Sequence, residues 1–139
     1  MIIRYLILKT RSFLSSGNRK IYIHIYTYKF MKLSDLIGIN KIFSDGKLLN
    51  KSGIDFAFSV VEKSKDWQYN LTHLLKAIIC EHAFLNGNKR TGAALVLYFF
   101  NKNNILYDNN LVVKAVINIA KLKKPNDKKI QSEINKCLI

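Results

Sequence analysis

Residues 81–95, EHAFLNGNKRTGAAL, place a histidine, two asparagines, a glycine and two cations between two strongly apolar stretches. Each of these residue types has a chemical use. His82 can take a proton near neutral pH, as a general base does. Gly87 lets backbone approach a ligand with no side chain in the way. Lys89 and Arg90 fall in the first turn of a helix expected to begin near Asn88, where backbone N–H groups are free and the dipole end is positive. Acidic residues are the usual choice there. Two cations oppose the dipole, and a bound anion, phosphate above all, would relieve the conflict. Taken singly, each residue has an ordinary reading. A histidine ending an apolar stripe is usually half-buried core, Asn-Gly is usually a turn, and Lys-Arg is usually a solvated face. Their convergence within nine residues, 82–90, is what points to a site.

The flanking elements read as helices. In DWQYNLTHLLKAIICEH, Leu71, Leu74, Leu75, Ile78 and Ile79 form one stripe that His82 continues, with Asp66 or Asn70 as the cap. KRTGAALVLYFFNKN is apolar on nearly every face after Gly92, which predicts a central helix packed all round. Leu111, Val112, Ala115, Val116 and Ile119 mark a helix capped near Asp108 or Asn109 and ended by Pro125. The tail, KKIQSEINKCLI, predicts a last helix that uses Ile130, Ile134 and Leu138. Upstream, Leu33, Leu36, Ile37, Ile39 and Ile42 recur at helical spacing through Gly38. Two glycines bracket KLLNKS, which reads as a short extended excursion or hairpin, and a short helix is expected from Asp55 through Val60 and Val61.

At 139 residues and 49% hydrophobic, the chain predicts one compact domain with a core that needs no staples. Cys80 and Cys137 have no Cys or His partner at zinc-ligand spacing, so Cys80 reads as a small core residue and a reduced, cytoplasmic setting is expected. No apolar run is long enough to predict a transmembrane helix. The formal charge of +14 suggests an anionic partner. A coding bias toward A and T, visible as many Lys, Asn, Ile, Tyr and Phe and a single Pro, accounts for much of that charge. Residues 1–30 contain no acid and several cations, and IYIHIYTY alternates like a strand with Ile21, Ile23 and Ile25 on one side. Met31 reads as a second start, which makes residues 1–30 a basic N-terminal extension, either a translated leader outside the domain or an accessory strand.

HAFLNGNKRTG resembles the signature of the Fic/Doc (Fido) family, His-x-Phe-x-acid-Gly/Ala-Asn-Gly/Lys-Arg, at His82, Phe84, Gly87, Asn88, Lys89 and Arg90. DGKLLNKSGIDFAFS is similar to that family's target-docking flap and the helix after it, and YFFNKNNILYDNN to the turn that follows the motif helix in Doc-like members. The resemblance runs from about Met31 to Lys123 and leaves residues 1–30 and the basic tail 124–139 outside. It implies an all-α Fic-fold bundle with a small β-hairpin flap formed by Lys47, Leu48, Leu49 and Asn50. It implies transfer of part of a nucleoside triphosphate, ATP or another nucleotide with Mg²⁺, to a protein hydroxyl. His82 would be the base, and Gly87, Asn88, Lys89 and Arg90 the phosphate ligands. Phe84 would be the anchor of the loop.

Lys89 stands where most adenylyl-transferring members have Gly, and Ala93 where they have a second Arg. Both departures point to the Doc-like (death-on-curing) branch. That branch implies a toxin that moves the γ-phosphate onto a translation elongation factor. Asn86 occupies the position of the acid that holds Mg²⁺ in the family. A neutral amide is a poor ligand for that hard cation, so weak or water-mediated metal binding and low activity are expected. None of the three glutamates has Ser or Thr four residues before it, so a self-inhibitory helix is not expected and restraint would come from a partner such as an antitoxin in trans. The competing readings are an adenylyltransferase on the same fold and a basic module, with nucleic acid as its partner, that has lost catalysis.

A chain beginning at Met31 is expected to fold with nearly the melting temperature of the full-length protein in circular dichroism. A large drop would make residues 1–30 part of the fold.

Overall fold

Four of the helices begin where an Asp or Asn side chain accepts from a first-turn N–H group. Such a cap is worth about 1 kcal/mol over alanine. In the computed structural model, which describes residues 31–139, six α-helices succeed one another. They are α1 (Leu33–Phe43), α2 (Lys51–Val61), α3 (Trp67–Leu75), α4 (Asn88–Lys102), α5 (Asn109–Ala120) and α6 (Asp127–Asn135). Lys76–Cys80 continues α3 as a π-helical turn. The capping choices left open by the sequence resolve to Asp66 for α3 and Asp108 for α5. Expectations for the basic extension 1–30, with its strand around Ile21, Ile23 and Ile25, concern residues outside those described.

The long element made of α3 and its π turn packs against α2, α4, α5 and α6, and α4 packs in turn against α1 and α5. As the apolar run predicts, α4 is buried on most faces from Thr91 to Leu97 and again at Phe99 and Phe100. It approaches the π turn closely at Gly92, where a Cβ would lie 2.7 Å from Ile79 Cδ1. At one end of the bundle Trp67 meets Phe100 edge to face, and Phe100 meets Tyr107. The C-terminal residues belong to the same core. Ile130, Ile134 and Cys137 are buried, and residues 137–139 pair with 106–108 through Asp108 N–H to the Cys137 carbonyl and Ile139 N–H to the Leu106 carbonyl. Leu138, expected to continue the α6 stripe, lies past the helix end. It bridges to Tyr107, and Cys137 takes the buried position.

Among the described residues there is no sheet, and the β-hairpin flap expected at 47–50 is not seen. Its place is taken by one extended pass that bridges the motif loop, Leu48 against Phe84. The reason lies in Asn50. Its Oδ1 accepts from Gly53 N–H at 3.0 Å and starts α2 at Lys51, not at Asp55, so the residues a second strand would need are already helical.

Among the polar residues buried in the core is Asn40, on α1. It is fully buried. Its amide nitrogen donates to the Asn86 carbonyl at 2.8 Å and to Thr91 Oγ1 at 3.1 Å, and its oxygen accepts from Gly46 N–H at 3.0 Å. Thr91 Oγ1 passes a bond on to the Gly87 carbonyl at 2.8 Å. One side chain thus ties α1, the loop after it, the motif loop and α4 together. Asn40→Ala would leave the part-buried Asn86 carbonyl and Gly46 N–H without this partner, at about 1–3 kcal/mol each. It is expected to lower unfolding free energy by about 2–4 kcal/mol in urea titrations, and a loss under about 1 kcal/mol would show that the junction does not depend on it.

Candidate active site

The π turn decides where His82 goes. Glu81 N–H donates to the Lys76 carbonyl and Ala83 N–H to the Ala77 carbonyl, so the helix ends on a widened turn. One extra residue in a turn rotates the downstream chain by about 100°. The stripe Leu71–Leu75–Ile78 therefore does not run on into His82 as the sequence suggests. His82 is exposed and takes φ +51°, the left-handed region that side-chain-bearing residues occupy at a cost of about 1–2 kcal/mol. It is thrown out of the core and onto the bundle surface, at the mouth of the motif loop. No side chain among the described residues hydrogen-bonds its ring.

From His82 the chain drops into the core at Ala83 and at Phe84, both fully buried. Asn88 closes the loop. Its Oδ1 accepts from Phe84 N–H at 2.9 Å and its Nδ2 donates to the Phe84 carbonyl at 2.8 Å. Both ends of its amide are used in this clamp, so its side chain fixes the spacing between His82 and the start of α4. Of the expected phosphate ligands, Asn88 is the one whose side chain the fold already employs.

The first turn of α4 carries no side-chain cap. Gly87 precedes it at φ +78°, a left-handed conformation, with Lys89 and Arg90 both exposed. Thr91 N–H reaches the Gly87 carbonyl, whereas the N–H groups of Asn88, Lys89 and Arg90 have no acceptor among the described residues. The expected anion site therefore has free backbone donors and two cations, and no carboxylate opposes them. Asn86 sits exposed at the loop tip, its carbonyl held by Asn40. Glu81 is the nearest acid in sequence, and its carboxylate lies at the start of α2, where Oε2 would be 2.8 Å from a Cβ placed on Gly53.

The segment expected to dock a target borders the same loop. Leu49 N–H donates to the Ala83 carbonyl at 2.8 Å, Asn50 N–H to the same oxygen at 3.2 Å, and Leu85 N–H to the Lys47 carbonyl at 2.9 Å. Leu49 and Leu85 stand out as apolar surface, 61% and 50% exposed. Lys47–Asn50, His82 and the α4 N-terminus are thus brought together by backbone pairing across one loop. Cys80 lies on the other side of the π turn. Burial, helped by neighbouring Glu81 and opposed by Lys76, pushes its thiol up, and Sγ contacts the Ile119 carbonyl. A thiol kept protonated in this way is not a nucleophile.

Sequence reasoning missed Asn40. The signal was present, since Asn40 falls four residues after Leu36 on the inward stripe of α1, where a polar residue needs a buried partner. Among the described residues no group of three or more His, Cys, Asp or Glu side chains is placed to hold a metal. No family model matches the chain, and no curated protein or solved structure matches it either.

A Cβ on Gly87 would lie 3.1 Å from Asn40 Nδ2 and 3.2 Å from Ser44 Cβ, on a backbone already left-handed. Gly87→Ala is therefore expected to destabilise by about 1–2 kcal/mol. The measurement is a shift in urea midpoint, and an unchanged midpoint would show that the turn relaxes freely.

Proposed function

We propose that the chain is a Fic/Doc-like transferase that moves a phosphoryl group from a nucleoside triphosphate to a protein hydroxyl. The observation that carries the reading is the clamped loop. It sets an exposed histidine on a forced bend beside a helix N-terminus that has free N–H groups, two cations and no cap. Phosphate suits that terminus because it satisfies the donors and neutralises Lys89 and Arg90 together. Arg90 offers a planar fork to two oxygens, and Lys89 a point charge. His82 takes the proton of the incoming hydroxyl. The hydroxyl oxygen bonds the γ-phosphorus, the bond to the β,γ-bridging oxygen breaks, and the nucleoside diphosphate leaves with that electron pair. The cations balance the charge that builds on the transferring group.

A macromolecular substrate is supported by Leu49 and Leu85, exposed apolar side chains on either side of the loop, as a protein surface would require. A translation elongation factor as target and an antitoxin as restraint rest on the sequence resemblance alone. For Mg²⁺ the residues present are a poor fit. Asn86 offers a neutral amide, and the Glu81 carboxylate lies at the start of α2, so no step is assigned to a metal. No helix among the described residues is long and apolar enough to cross a membrane.

The test is incubation of purified protein with a cell lysate and nucleotide labelled on either the α- or the γ-phosphate. Label reaching a protein only from the γ position is the expected result. Label from the α position would make the chain an adenylyltransferase. His82→Ala is expected to lower transfer by about 10²- to 10⁴-fold with the circular dichroism spectrum unchanged. Wild-type transfer by a folded His82→Ala protein, or no labelled protein at all, would remove the reading.

A further inference from the structure

Catalytic bases are ordinarily oriented by a third group that hydrogen-bonds the base itself. His82 has no such partner among the described residues, and its exposed ring projects from a left-handed backbone. A conformation of that kind persists only where the surroundings over-determine it. The π turn and the short pass Leu49–Asn50 hold the chain on either side of it. The carbonyl before His82, that of Glu81, accepts from Asn50 Nδ2 at 3.2 Å. Past His82, Ala83 N–H donates to the Ala77 carbonyl at 3.1 Å, and the Ala83 carbonyl accepts from Leu49 N–H and Asn50 N–H at 2.8 and 3.2 Å. The peptide unit that leads into His82 is therefore held by Asn50, the unit that leaves it by Ala77 of the π turn, and the next carbonyl by residues 49 and 50. Asn50 is the one side chain among the described residues that hydrogen-bonds the main chain of 81–83. Its other atom is already engaged: Oδ1 accepts from Gly53 N–H at 3.0 Å and from Ser52 Oγ at 3.2 Å as the cap of α2.

We infer that Asn50 is a positioning residue for His82. It transmits the fixed start of α2 to the bend that aims the imidazole. The inference rests on the reading of His82 as the base, but its physical content is the conformation of residue 82 and can be read without any reaction. The two ends of the Asn50 amide do different jobs, so they can be separated by substitution. Serine is as good a cap as asparagine but has no amide donor to reach Glu81. Aspartate keeps the acceptor for Gly53 N–H and replaces the donor with an oxygen that repels the Glu81 carbonyl.

The experiment measures the His82 ring proton resonance by NMR, assigned from the spectrum of His82→Ala, together with melting temperature and the kcat and KM of labelled transfer. In Asn50→Ser the melting temperature is expected to stay close to that of the parent. The His82 resonance is expected to shift, and kcat to fall about ten- to hundredfold with the nucleotide KM little changed, as a misplaced catalytic group requires. Asn50→Asp, compared on the plateau of its pH profile, is expected to be equally impaired although its cap is intact. It is the variant to read if Asn50→Ser does not fold. Recovery of kcat and of the parent resonance in Asn50→Asp would reduce Asn50 to a helix cap and overturn the inference. So would an unchanged His82 resonance in Asn50→Ser. A shifted resonance in a protein whose parent transfers no label would sustain the positioning of His82 and remove the transferase reading.

Discussion

A buried amide holds this structure together at the end that carries the motif loop. Asn40, itself fully buried, commits its amide nitrogen and its oxygen to three separate pieces of chain. The motif loop cannot lift from the bundle without breaking the bond to the Asn86 carbonyl. α1 cannot slide along α4 without breaking the bond to Thr91. Fully satisfied buried networks rigidify because the alternative arrangements leave something unsatisfied. The loop between two long apolar helices is thereby given one conformation, although its own sequence is glycine- and asparagine-rich.

On that base the loop is built from two backbone compromises. The π turn at Lys76–Cys80 widens the end of the α3 element, and His82 comes next in a left-handed conformation. Neither would be chosen by a helix seeking its own lowest energy. Together they turn the chain from the apolar stripe to the surface within two residues and then return it to the core at Phe84. π-helical turns occur frequently at functional sites, and the physical reason is visible in this loop. An inserted residue re-aims a side chain without moving the helices that flank it.

Electrostatics at the α4 terminus complete the arrangement. Four other helices of the bundle satisfy a first-turn donor with Asp or Asn, whereas α4 opens with a left-handed glycine followed by Lys89 and Arg90. The Asn that precedes those charges looks forward in sequence but works backward in space, clamping Phe84. Neighbouring side chains are therefore used differently. Asn88 and Phe84 hold the loop, and Lys89, Arg90 and the free N–H groups face outward.

Helix existence, most inward faces and the loop itself were legible in the sequence because they depend on local periodicity and on short-range signals. Leu71, Leu74, Leu75 and Ile78 repeat at helical spacing whatever surrounds them, and Asn-Gly breaks a helix wherever it stands. That His82, Gly87, Lys89 and Arg90 fall on one loop and the helix start after it was legible for the same reason, since they lie within nine consecutive residues. What the tertiary structure decided is everything that needs a partner distant in sequence. The exposure of His82 depends on a π turn that periodicity does not encode. The β-hairpin expected at 47–50 gave way to a single pass because Asn50 caps α2 early and the freed backbone groups find Ala83 and Leu85 across the loop. The duty of Asn40 exists only once residues 46, 86 and 91 have gathered around it, for a hydrogen bond between chain segments is invisible until the fold has brought its two ends together.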